Sequence, residues 1–188
     1  MLILPLHFKH NLWQILPTDD IVAENTISNT FNFQIVTYID LRQNNSIESI
    51  ITNIINIISN DNNEARDFAV LASSTKLLRN IDILYRQRTN EQTEITFISN
   101  ETLERLKQIH QVTDEKAANW KFNRDFEALE RTRKQLFTTD KRCLKISTIQ
   151  SFKGWESPSV IVILENDIVL HNTTFRPMSP QTIYTAIT

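Results

Sequence analysis

Five short apolar runs rich in β-branched residues punctuate the chain: FQIVTYI (33–39), DFAVLAS (67–73), TEITFIS (93–99), CLKIST (143–148) and SVIVIL (159–164). Each reads as a strand. Between them, apolar residues recur every three or four positions, the signature of a helix with one buried face. Ile47, Ile50, Ile51, Ile54, Ile55 and Ile58 make such a stripe after the first run, with Asn45 and Glu48 spaced as a capping pair. Leu77, Leu78, Ile81, Leu84 and Tyr85 repeat the pattern after the second. After the third, Ser99 is placed to cap a helix bearing Leu103, Leu106 and Ile109. Trp120, Phe122, Phe126, Leu129 and Leu136 are spaced for one or two amphipathic helices in a charge-rich stretch whose run over 114–134 reads as a solvated face. Ser179-Pro180 is a further helix start. Nearly continuous apolar strands alternating with helices predict a mostly parallel sheet covered on both faces, a three-layer α/β domain. Such sheets bind ligands outside the carboxyl ends of their strands, so the loops after Ile39, Ser73 and Thr148 are the places for chemistry.

The 188 residues suffice for one core, so residues 1–188 are read as a single domain. Within it, 1–30 form an extension of open structure and 100–138 a short helical insertion. A net charge of −2 gives no global basic field, so any nucleic-acid contact must be local. The one cysteine, Cys143, excludes an internal disulfide and reads as a small strand residue in a reducing compartment. His7 and His10 have metal-gripping spacing but no third ligand of matching kind nearby, so they read as a surface pair and no metal site is expected. The opening MLILPLHFKHNLWQIL lacks the basic segment and cleavage site of an export signal, and no stretch reaches the length of a membrane span. The expectation is a cytoplasmic protein without a membrane partner. One glycine in the whole chain, Gly154, cannot build a Gly-rich phosphate loop.

That glycine stands in STIQSFKGWESPSVIVIL (147–164). A strand ends at Thr148; Gln150, Ser151 and Lys153 supply amide, hydroxyl and ammonium donors suited to phosphate oxygens, and Gly154 permits a positive φ or a close backbone approach. By itself the stretch also reads as a tight connection with Lys153 solvated and Trp155 covering the core. Its order of residues resembles motif V of the superfamily 1 helicases of the UvrD/Rep type: a strand, Thr, a spacer, His or Gln, Ser, a spacer, Lys-Gly, an apolar residue and Glu, then an apolar strand. The resemblance implies that Thr148, Gln150 and Ser151, with Lys153, face a single strand, and that Gly154 and Glu156 face a nucleotide. Gln150 stands where many members have His, so its contact would not titrate near neutral pH.

Two more stretches follow the family's order. YIDLRQNNSIESIITNII (38–55) resembles motif IV, which implies that Arg42 reaches a γ-phosphate and that Leu41 takes the place of a stacking aromatic. AVLASSTKLLRNIDILYRQ (69–87) resembles motif IVa, which implies nucleic-acid contacts from Ser73, Ser74, Thr75 and Lys76. QTIYTAIT (181–188) resembles the helix opening motif VI, ending just before that motif's arginine. The implied fold is RecA-like, of the P-loop NTPase type. The implied function is that of the second motor lobe of an ATP-dependent helicase or translocase, an ATP hydrolase only with its first lobe. ATP and Mg²⁺ would be held mainly by that first RecA-like lobe, with Arg42 as the catalytic residue of this one. The implied partners are single-stranded nucleic acid, DNA in the first instance, and the N-terminal lobe itself. The departures at Leu41 and Ser73 favour an alternative, a degenerate RecA-like domain serving protein interaction or regulation.

Overall fold

The computed structural model describes residues 2–7, 39–40, 46–60, 64–113, 119–164, 169–170 and 173–174. Strands β1 (Leu2–His7) and β2 (Ile39–Asp40) are followed by helix α1 (Ile47–Asn60), a 3₁₀ turn (Ala65–Asp67), β3 (Phe68–Ala72), α2 (Thr75–Thr89) and β4 (Thr93–Ile95). Then come α3 (Asn100–His110), α4 (Trp120–Leu136), β5 (Leu144–Thr148), the single turn α5 (Ile149–Phe152), β6 (Ser159–Leu164) and a small ribbon, β7 (Val169–Leu170) and β8 (Thr173–Thr174). The main sheet has the order β2-β1-β6-β3-β5-β4. Four neighbours in it, β6, β3, β5 and β4, run parallel. This is the mostly parallel α/β three-layer fold that the strand and helix periodicities predict.

The two faces of the sheet follow from the period-two alternation of side chains. Phe68, Val70 and Ala72 of β3 share one face with Leu144, Ile146, Ile161 and Ile163. The isoleucine stripe of α1 and the leucine stripe of α2 close over it, with Ile50, Ile51, Ile54, Leu77, Leu78 and Ile81 fully buried. Each such side chain contributes about 2 kcal/mol relative to leaving it in water. Ala69, Leu71, Val160 and Val162 point the other way, onto Ile149 and Phe152 of α5 and onto Phe137. The helical insertion has a small core of its own, Ile98, Leu103, Leu106 and Phe122, through which α3 and α4 pack together.

Helix ends are set by hydroxyl and amide caps. Ser74 accepts from Leu77 N–H, Ser99 from Thr102 N–H as its position predicts, and Asn119 from Lys121 and Phe122 N–H. At α1 the capping oxygen is that of Ser46, which accepts from Ser49 N–H; Asn45 lies outside the described residues. With so little glycine in the chain, Asn90 and Gln111 take the left-handed positions that end α2 and α3.

Two regions add to or alter the sequence reading. The chain's first residues, left open above, place β1 antiparallel on β6 over the whole register from Leu2↔Leu164 to His7↔Ser159, a non-local pairing that no local pattern encodes. Strand β4 stops at Ile95 rather than running to Ser99. The Thr96 hydroxyl meets that of Ser147 at 2.9 Å, and the chain bends through buried Phe97 and Ile98 to the Ser99 cap. In the charge-rich stretch the described residues from Asn119 to Phe137 hold one helix, α4, within the one or two expected. Most of the first predicted strand, residues 33–38, the pair His7/His10 beyond the backbone of β1, and Ser179-Pro180 lie outside what is described. Among the described residues no helix is long and apolar enough to cross a membrane.

Candidate nucleic-acid interface at the carboxyl edge

Three parallel strands deliver their carboxyl ends to one place. After β3 come Ser73 and Thr75, after β4 Thr96 and Phe97, and at the end of β5 Thr148, followed by Ile149, Gln150 and Ser151; together they line a cleft of about 290 Å³. Glu130 and Lys134 of α4 complete the wall. The donors are chiefly hydroxyls, with one amide and one ammonium, a set that suits the oxygens of a phosphodiester more than an apolar ligand; the Glu130 carboxyl is the one acidic group in the lining. The first turn of α2 opens here, so its backbone amides add partial positive charge beside the cleft.

Local geometry at β5 explains how the hydroxyls are presented. Thr148 is the N-cap of α5: its Oγ1 accepts from Ser151 N–H at 3.1 Å and donates to Ser151 Oγ at 2.8 Å. Ser151 Oγ thus receives the Thr148 proton, and its own hydrogen is left for a further acceptor. Gln150, between them, is exposed, while Ile149 and Phe152 are buried under the turn and anchor it to the second core. The sequence carried a signal for this turn that the strand-plus-loop reading passed over: a threonine cap and two apolar residues three apart.

The cleft unites part of the predicted set. Ser73, Thr75, Thr148, Gln150 and Ser151 meet there; Ser74 is occupied as the cap of α2, and Lys76 is exposed on its first turn. Lys153, Gly154 and Glu156 do not line the cleft and are exposed on the connection 153–158 that carries the chain back toward the start of β6. Trp155 packs edge-on against Phe137 at 5.3 Å, and Ser157 Oγ donates to the carbonyl of Asp67, at the opposite end of β3. This half of the motif therefore has the geometry of a crossover with a solvated lysine and a covering tryptophan. Gly154 adopts φ +88° with open space where a Cβ would sit. The glycine serves conformation, not close approach, and alanine there would cost about 1 kcal/mol of backbone strain without a clash. Leu41 and Arg42 lie outside the described residues. Glu130 and Lys134 were not foreseen, because only the docking of α4 brings them to the strand ends.

A larger cavity of about 640 Å³ opens at the opposite, amino edge, between Arg66, Tyr85, Glu91, Arg142 and Cys143. Burial raises the Tyr85 phenol, helped by its hydrogen bond to Glu91 at 2.5 Å, and burial also raises the Cys143 thiol, so both stay protonated and neither is an activated nucleophile. Lys145, buried on the second face of the sheet, is pulled below the ordinary lysine range by burial, with Cys143 and Asp67 acting against the shift. Among the described residues no group of three or more His, Cys, Asp or Glu side chains is placed to hold a metal ion. Ligands of parallel α/β sheets gather at the carboxyl edge, where the phosphate-type donors are, so the smaller cleft is the candidate site. Comparison with family models, with curated proteins and with solved structures finds no match.

Proposed function

We propose that this chain is the second RecA-like motor lobe of an ATP-dependent helicase or translocase in a cytoplasmic protein, and that its carboxyl-edge cleft grips the backbone of a single nucleic-acid strand. One observation carries the reading: Ser73 and Thr75 on one side, and Thr148, Gln150 and Ser151 on the other, come from segments far apart in the chain and converge on the same cleft. They are the stretches whose residue order resembles motifs IVa and V. In the proposed cycle, ATP sits between this lobe and a first lobe that supplies the phosphate loop and the Mg²⁺ carboxylate. Arg42 neutralises charge developing on the γ-phosphate. Closure of the two lobes shifts the cleft along the strand, so that hydrolysis becomes movement.

The chain alone is expected to hydrolyse no ATP and to bind oligothymidylate weakly, with affinity falling steeply as salt rises. Gln150→Ala should weaken that binding by about tenfold, the loss of one hydrogen bond to a charged group, while leaving the thermal midpoint unchanged because the side chain is exposed. Fluorescence anisotropy at several salt concentrations reads both. Hydrolysis by the 188 residues alone, or oligonucleotide affinity indifferent to Gln150, would count against the proposal. Exposed Ile109 and Leu136, at 67% and 63%, favour the second reading of a protein-interaction module, which predicts no oligonucleotide binding at any salt.

A further inference from the structure

The outer face of α4 is exposed. Its inner face is accounted for: Phe122 is buried against Phe126 and the edge of the His110 ring, and His110 Nε2 lies 3.1 Å from Asp125. Opposite it stands Trp120, 66% exposed in a position where burial would ordinarily claim an indole. Arg124 and Lys121 hold their cations 5.3 and 5.8 Å from its ring centroid. Steps of three and four residues put Arg124, Glu127, Arg131 and Lys134 on the same stripe as Trp120. Lys134 already lines the carboxyl-edge cleft. The stripe thus joins the cleft to an exposed tryptophan about 21 Å away along the helix axis.

We infer that α4 is the track on which a single nucleic-acid strand continues out of the cleft, its phosphates passing Lys134, Arg131 and Arg124 and a base stacking on Trp120. The inference rests on the proposal that the cleft holds such a strand. Charge complementarity selects this occupant: α4 carries five basic against three acidic residues in a chain whose net charge is −2, and no aliphatic side chain shares the Trp120 stripe. Of the three acids of α4, Glu127 on the stripe pairs with Arg131 at 3.3 Å and Asp125 pairs with Arg124 at 3.0 Å, both at the surface, while Glu130 lines the cleft. Exposed pairs of this kind contribute little, and their arginines can turn to a phosphate at small cost. An aromatic face flanked by cations along a basic groove is the means by which single strands are bound without reading their sequence.

The test uses labelled oligothymidylates of about four nucleotides, enough for the cleft, and of about twelve, enough for cleft and track. The unaltered chain should bind the longer one more tightly. Trp120→Ala should weaken the longer by about tenfold and leave the shorter unchanged, whereas Trp120→Phe should restore most of the loss. Arg131→Ala should lower the slope of log affinity against log salt by about one for the longer oligomer alone. If Gln150→Ala weakens both oligomers but Trp120→Ala weakens neither, the strand does not follow α4 and this face belongs to a protein partner. If neither oligomer binds the unaltered chain, the cleft reading fails and the track fails with it.

Discussion

Arg86→Met should lower the free energy of unfolding by about 3 kcal/mol, the largest stability loss expected from a single side chain outside the aliphatic core. Asp82 is only 1% exposed, and Arg86 Nη2 meets its carboxylate at 2.8 Å one helical turn away. The other carboxylate oxygen accepts from the hydroxyl of Thr93, the first residue of β4. Arg86 also lies 3.6 Å from Glu101 at the start of α3. One buried carboxylate and one cation thus connect α2, β4 and the insertion. Methionine keeps the apolar stem and removes the cation, leaving the Asp82 carboxyl group buried beside the hydroxyl of Thr93 without its arginine. Removing both partners together, as Asp82→Leu with Arg86→Met, should cost far less than Arg86→Met alone, since the pair itself bears a desolvation penalty and Arg86 Nε is buried without a hydrogen-bond partner among the described residues. Urea denaturation reads this as a lowered midpoint at unchanged m-value for the single variant and a recovered midpoint for the double. Equal losses in the two variants would mean that packing, and not the isolated charge, sets the cost.

The largest functional effect is expected at Arg42. In a protein joining this lobe to its proposed partner lobe, Arg42→Ala should reduce single-strand-stimulated ATP hydrolysis by about a thousandfold or more, the range over which an arginine stabilises phosphoryl transfer. Oligonucleotide binding should be nearly untouched, because the cleft residues come from other loops. Steady-state ATPase assays with and without oligothymidylate, on both proteins, check the split. A fall of only a few-fold would place Arg42 away from the γ-phosphate and favour the regulatory reading of the domain.

The layers were legible because they are written locally. Isoleucines three and four apart in α1, the unbroken apolar run of β6 and a cap such as Ser99 each need only neighbours in sequence to be read. Pairing was less so: β1 on β6 joins the first and last strands, in chain order, of the main sheet, and nothing near Leu2 states its partner. The shortening of β4 follows from a hydroxyl pair between Thr96 and Ser147, which only the folded sheet brings together. Of the site, the hydroxyl and amide positions around Thr148 and Ser73 were legible because they sit at strand ends, where a parallel sheet leaves its loops open. The contributions of α4 were not. Lys134 and Glu130 look like any solvated helix charges until the insertion folds back against the sheet's edge. Nor did the glycine disclose its place: a positive φ was one of the two roles open to it, but the chain has already turned away from the cleft when it reaches Gly154.

The central claim is that a single strand occupies the cleft at the ends of β3 and β5. Amide hydrogen exchange of the full 188-residue chain, followed with and without a saturating oligothymidylate, tests it most directly. Slowed exchange is expected at 73–77 and 148–152, with little change around Arg66 and Arg142 at the opposite edge. Protection confined to that opposite edge, or unchanged exchange at Thr148–Phe152 under saturating oligonucleotide, would contradict it.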